Sequence, residues 1–130
     1  MNGIHFAVSY NQLSEVKKYV DNGDIELRDS YGSTPLMLAS YCGHTAMVKY
    51  LCEKGAMVDK RDNGGWTALM HAAFYNFIEV TRILLDHNAN KDLVNSEGFT
   101  ALYYAEKFRH GEIEMLLNPD VENSTKKILR

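Results

Sequence analysis

The sequence predicts an all-α repeat solenoid, built of helix–turn–helix units stacked side by side and joined by extended arms. Three observations predict it. A five-residue phrase recurs in register as Gly32-Ser33-Thr34-Pro35-Leu36, Gly65-Trp66-Thr67-Ala68-Leu69 and Gly98-Phe99-Thr100-Ala101-Leu102, 33 residues apart. A fixed period of that length marks stacked supersecondary units. Behind each phrase, two short apolar stripes recur at helical spacing. Glycine or asparagine closes most of those stripes, where a helix end calls for the left-handed conformation.

The first unit, residues 1–28, is degenerate. Asn2 stands at the cap position, Ile4 and Ala7 carry the first helix, and Val16, Tyr19 and Val20 carry the second, which Gly23 ends. Ile25 to Gly32 reads as an extended arm. The second unit, 29–61, is the most regular. Thr34 is an N-cap, its hydroxyl able to accept from a free amide of the first turn. Pro35 follows at the first helical position, where its missing N–H costs nothing. Leu36, Ala39 and Ser40 form a narrow inner face, and Met47, Val48, Leu51 and Cys52 the second stripe. Gly43 and Gly55 end the two helices. The third unit, 62–94, repeats this with Thr67, Leu69, Ala72 and Ala73, then Val80, Ile83, Leu84 and Leu85. Asn76 and Asn88 stand for the two glycines, and asparagine tolerates the same backbone. The fourth unit, 95–118, keeps Thr100, Leu102 and Ala105, then Ile113, Leu116 and Leu117. Arg109 occupies the glycine position with Gly111 two residues later, so a rebuilt inter-helix turn is expected there. Units 1–118 make one domain, and 119–130 read as a polar tail.

Composition is that of an ordinary soluble globular chain, 45% hydrophobic and 24% charged. A net charge of −3 offers no basic excess for phosphates, which disfavours nucleic acid. No apolar run is long enough to cross a bilayer. The opening residues show neither the basic segment nor the apolar core of a signal peptide. Cys42 and Cys52 form no C-x-x-C pair, which points to a reducing compartment and a cytoplasmic protein. The sequon at Asn123 is read as a chance match.

These residues resemble the ankyrin repeat. The pattern appears as Asp29 at the turn, Gly32-Ser33-Thr34-Pro35-Leu36, Ala39-Ser40, Gly43-His44, Val48, Leu51-Cys52 and Gly55-Ala56, and the match runs over residues 2 to 117. The family's usual histidine after the leucine is here Met37, Met70 and Tyr103. The resemblance implies antiparallel helix pairs, β-hairpin-like arms set at a right angle to them, and a concave face that binds other proteins. It does not imply catalysis.

The same resemblance places partner contacts at the hairpin tips, at the residue between glycine and threonine, and at the last two residues of each first helix. The last two classes give twelve positions, and seven are aromatic: Tyr10, Tyr41, Trp66, Phe74, Tyr75, Phe99 and Phe108. About one would follow from the overall 11% aromatic content. Aromatics on one face have the composition of an interaction hot spot, although they can also pack on each other as a lateral ladder. The candidate partner-binding residues are Tyr31, Ser33, Tyr41, Arg61, Asn63, Trp66, Phe74, Tyr75, Phe99 and Phe108. Truncating Trp66 to alanine is expected to weaken binding with little change in unfolding midpoint. Asp29 and Asp62 read as stabilisers of their own turns. Arg28 and Arg61 read as contacts projecting at one height.

No catalytic, cofactor or metal site is expected. None of the five histidines lies at zinc-ligand spacing from a cysteine, and His71 reads as a packed histidine. Phosphate loops and nucleophile elbows are missing from the sequence. The expected function is therefore a monomeric protein-binding module acting sterically, as adaptor or inhibitor. The competing readings are an oligomeric structural subunit without a separate partner and, with less support, a nucleic-acid or membrane-surface binder.

Overall fold

A computed structural model describes residues 3–119. The Asn2 cap and the tail from residue 120 onward lie outside the described residues. Eight helices follow in pairs: α1 (Gly3–Ser9) and α2 (Leu13–Asp21), α3 (Pro35–Cys42) and α4 (Thr45–Glu53), α5 (Ala68–Phe74) and α6 (Ile78–Asp86), α7 (Ala101–Lys107) and α8 (Gly111–Leu117).

The first helices α1, α3, α5 and α7 pack in one row, and α4, α6 and α8 in a second row behind it. Small residues make the inner row possible. Ala7, Ala39, Ala72 and Ala105 are buried between neighbouring helices, and Ser40 turns its hydroxyl back onto the Leu36 carbonyl at 2.8 Å. The second stripes supply the bulk of the core, with Met47, Leu51, Leu84, Ile113 and Leu117 almost fully excluded from water.

Threonine starts three of the four first helices. The hydroxyls of Thr34, Thr67 and Thr100 accept from the amides of Met37, Met70 and Tyr103 at 3.2–3.3 Å. The inter-helix turns all use the left-handed region, at Asn11 (φ 55°), Gly43 (φ 73°), Asn76 (φ 62°) and Arg109 (φ 57°). The fourth turn is therefore not rebuilt. Arg109 takes the glycine's conformation directly, and Gly111 instead opens α8.

The arms are hairpin-like in their hydrogen bonds, although no strand is formed among the described residues. Each turn closes with two backbone bonds: Asp29, Asp62 and Asn95 N–H donate to the Ser33, Trp66 and Phe99 carbonyls, and Gly32, Gly65 and Gly98 N–H donate back to the Asp29, Asp62 and Asn95 carbonyls, all at 2.9–3.0 Å. Successive hairpins then nest. Asn63 N–H donates to the Tyr31 carbonyl and Ser96 N–H to the Gly64 carbonyl, both at 3.0 Å. Gly65 is needed for that nesting, since a Cβ there would lie 2.9 Å from the Ser96 nitrogen.

Side chains tie unit to unit at repeated heights. His5 donates to the Ser33 carbonyl at 2.8 Å, His44 to the Ser9 carbonyl at 3.2 Å and His110 to the Ala73 carbonyl at 2.9 Å. Glu26 and Asp59 accept from the Met57 and Asn90 amides at the second-helix ends of the following units.

Candidate protein-binding surface

The hairpins and the inner helices enclose a concave face. A cavity of about 400 Å³ lies between the second and third units, lined by Asp29, Tyr31, Ser33, Met37, Leu38, Tyr41, Asp62 and His71. Tyr31 stands at the lip, 75% exposed on a hairpin tip. Met37 and Leu38 give the cavity apolar lining, and Tyr41, near the end of α3, lines it too.

An aromatic ladder continues from Tyr41 along the helix ends. The Tyr41 ring meets Tyr75 edge-on at 5.1 Å, Tyr75 meets Phe74 at 4.9 Å, and Phe74 meets Phe108 at 4.9 Å. Trp66 joins from the hairpin side, stacked between His71 at 5.0 Å and Tyr104 at 4.6 Å with its edge to Phe74. Such edge and offset contacts are the favoured aromatic geometries. Tyr41, Tyr75 and Phe108 remain exposed while joined to the ladder. The neighbouring Tyr41 hydroxyl, with burial second, holds the Tyr75 phenol above its ordinary value, so it stays neutral.

The sequence-predicted residues divide into three groups. Tyr31, Ser33 and Tyr41 line the cavity, and Tyr41, Trp66, Phe74, Tyr75 and Phe108 share the ladder. Phe99 lies apart, stacked flat on Tyr103 at 3.8 Å, and reaches the ladder only through the edge of Tyr104. Arg61 is exposed at its tip. Asn63 is exposed too, but its side chain donates to the Ser30 carbonyl at 3.1 Å and so also joins two hairpins. Two expectations change. Arg28 bridges hairpins, its guanidinium donating to the Gly32 and Arg61 carbonyls at 2.9 and 2.6 Å. Trp66 is half-buried in a sandwich, so its truncation disturbs packing as well as any contact.

Asp29 and Asp62 do hold their own turns. Oδ1 of Asp29 accepts from Tyr31 and Ser33 N–H, and Oδ1 of Asp62 from Gly64 and Trp66 N–H. Sequence reasoning missed a further pairing at the same height. Asp62 Oδ2 meets His71 Nε2 at 3.0 Å. Burial lowers the His71 imidazole below its ordinary value and outweighs the Asp62 hydrogen bond and charge, which push the other way. A carboxylate can only accept, so the neutral ring donates its Nε2–H. The signal was present in the 33-residue register, where Leu38, His71 and Tyr104 share one position.

Other chemistry is sparse. Burial pushes the half-buried Cys42 thiol up, and that of Cys52 up to about 11, so both are protonated at neutral pH. Among the described residues no group of three or more His, Cys, Asp or Glu side chains is placed to hold a metal. No helix among them is long and apolar enough to cross a membrane.

Paired helices in two rows, nested hairpins and a concave face define a helical repeat solenoid. A sequence model of the family described as ankyrin repeats in three copies matches residues 4–95 and 63–127, and the chain belongs to that family. Ankyrin repeats are in general protein–protein interaction modules and typically non-catalytic. The chain is similar to ankyrin repeat domain-containing protein 29 of Danio rerio, 33% identical over 60 residues, which is 45% of this chain and 20% of that protein. It is similar to human ankyrin repeat and SAM domain-containing protein 3, 40% identical over 58 residues, 43% of this chain and 9% of that protein. BTB/POZ domain-containing protein 3 of Schizosaccharomyces pombe is 40% identical over 50 residues, 37% of this chain and 10% of that protein. The chain thus spans a fifth or less of these relatives.

Proposed function

We propose that the protein binds a partner protein along its concave face and hairpin tips, and acts sterically as an adaptor or inhibitor. One observation carries this reading. Positions that the fold leaves variable supply a ladder that is continuous from unit to unit and keeps Tyr41, Tyr75 and Phe108 exposed. Rigid aromatics lose little side-chain freedom on binding and expose large apolar area to a partner, which is why they dominate interface hot spots. The helices beneath hold that surface fixed in advance, which lowers the ordering cost of association. We further read the protein as a monomer of the cytoplasm.

The variants Tyr75→Ala and Phe108→Ala remove exposed rings outside the cavity and are suited to the test. Affinity capture from cell extract is run with wild type and with the double variant, after cooperative melting curves establish that both are folded at the temperature of capture. Loss of a stoichiometric protein partner from the variant alone supports the reading. A partner captured equally by both overturns the face, and a stable oligomer in solution scattering overturns the monomer.

A further inference from the structure

The three hairpins provide an internal comparison. In each, the first turn residue holds its loop through Oδ1: Asp29, Asp62 and Asn95 each accept from two backbone N–H groups. They differ in the second side-chain atom. Asp62 Oδ2 is met by His71 at 3.0 Å, and Asn95 Nδ2 donates to the Tyr104 hydroxyl at 2.8 Å. Both partners stand nine positions later, on the first helix of the same unit. In the second unit that position is Leu38, which has no polar atom. Asp29 Oδ2 therefore has no hydrogen-bond or ion-pair partner among the described residues, although Asp29 is half-buried and lines the concave cavity.

We propose that this cavity is a subsite for an arginine or lysine side chain of the partner protein; the inference rests on the protein-binding reading above. A cation entering between Tyr31 and Tyr41 would give Asp29 Oδ2 a partner, as its counterparts already have, in a charge-assisted hydrogen bond. The aliphatic stem would lie on Leu38 and Met37 while the charged head stays at the carboxylate, the usual division of such side chains. The tyrosine faces add attraction for the cation. An acidic or phosphorylated side chain is repelled by Asp29 and Asp62, which both line the cavity. An apolar one would cover the Asp29 oxygen without bonding it, which is unfavourable.

Asn95 shows how to test this without breaking the turn, because asparagine holds the same loop through Oδ1. Asp29→Asn then removes the charge and replaces the free Oδ2 acceptor by an Nδ2 donor, while the turn is kept. Leu38→His is the second variant, since it offers the cavity the imidazole that His71 supplies one unit later. Peptides are selected on the wild-type protein from a random library displayed on phage, and the selected sequences are measured by calorimetry. The expected result is a shared arginine or lysine. Replacing it by glutamine weakens binding to wild type about tenfold. The same replacement barely changes binding to Asp29→Asn or Leu38→His, where the pair is already lost. Peptides that need Tyr75 and Phe108 but share no basic residue, or one indifferent to both variants, overturn the subsite and leave the binding face standing. Selection that yields nothing dependent on Tyr75 or Phe108 overturns face and subsite together.

Discussion

His71 lies under two opposing influences. Burial between Trp66 and Tyr41 disfavours its charged form, while the hydrogen bond and charge of Asp62 favour it, and burial prevails. Asp62 bonds the ring directly, and Asp29 is the other acidic group lining the cavity it faces. The consequence for stability follows from proton linkage. The unfolded ring titrates near 6.5 and the folded ring below that, so the unfolded state binds more protons at mildly acidic pH. The stabilisation is complete above about 6.5 and is lost as pH falls through the lower folded value. Urea midpoints of wild type should therefore drop between pH 7.5 and 5 more than those of His71→Leu, a variant that reproduces the Asp29–Leu38 arrangement. Parallel pH profiles would sink this account. Nothing in the residues around His71 announces the pairing. It becomes visible only once the 33-residue register aligns it with Leu38 and Tyr104 and the hairpin places Asp62 opposite.

At the scale of elements, the turns between paired helices share one backbone shape and three kinds of residue. Glycine and asparagine accept a φ near +60° readily, whereas a long side chain there costs about 1–2 kcal/mol. Arg109 holds φ 57° on an exposed turn. Arg109→Asn should accordingly raise stability by about 0.5–1 kcal/mol in thermal unfolding, and Asn76→Arg should lower it by a similar amount. Equal midpoints for wild type and both variants would show that the turn relaxes. The hairpin glycines permit a sharper comparison. Gly65 and Gly98 have nearly the same φ, 79° and 84°, but only at Gly65 would a Cβ meet the next hairpin, whereas at Gly98 it meets open space. Alanine at Gly98 should cost about 1–2 kcal/mol from backbone strain alone, and alanine at Gly65 distinctly more. Equal losses would mean that hairpin nesting contributes little. The threonine caps, the alanine faces and the asparagine turns were legible because one local rule dictates each. Arg109 was not, because the neighbouring repeats impose a shape its own side chain disfavours. Nor was the role of Arg28, whose length reaches a carbonyl one full repeat away.

At the scale of the whole molecule, a stack owes its stability to each unit and to the interface with its neighbour. Most interfaces here are built from helix faces. Trp66 adds a different connection, because its ring belongs to the third unit yet stacks on Tyr104 of the fourth. Tyr104 is buried and anchored by Asn95, so the sandwich links a hairpin and an inner helix of one unit to the hairpin of the unit before. Trp66→Ala should then act on the coupling between units. Stacked aromatic pairs contribute about 0.5–1.5 kcal/mol each beyond area burial, so losing both stacks on a half-buried ring should cost about 2 kcal/mol. Tyr75→Ala, which removes an exposed rung, should cost well under half of that. The distribution of the loss is the more telling measurement. Hydrogen exchange should show amides of α7 and α8 opening independently in Trp66→Ala, while α3 to α6 keep their protection. Uniform acceleration across all helices would mean that the ring supports its own unit alone. Should α7 and α8 loosen selectively, the residue between glycine and threonine serves two ends at once: it sets the partner-facing surface and it fastens the last unit to the stack. A binding loss in Trp66→Ala would then have to be separated from that loosening, which the exposed rings of Tyr75 and Phe108 allow.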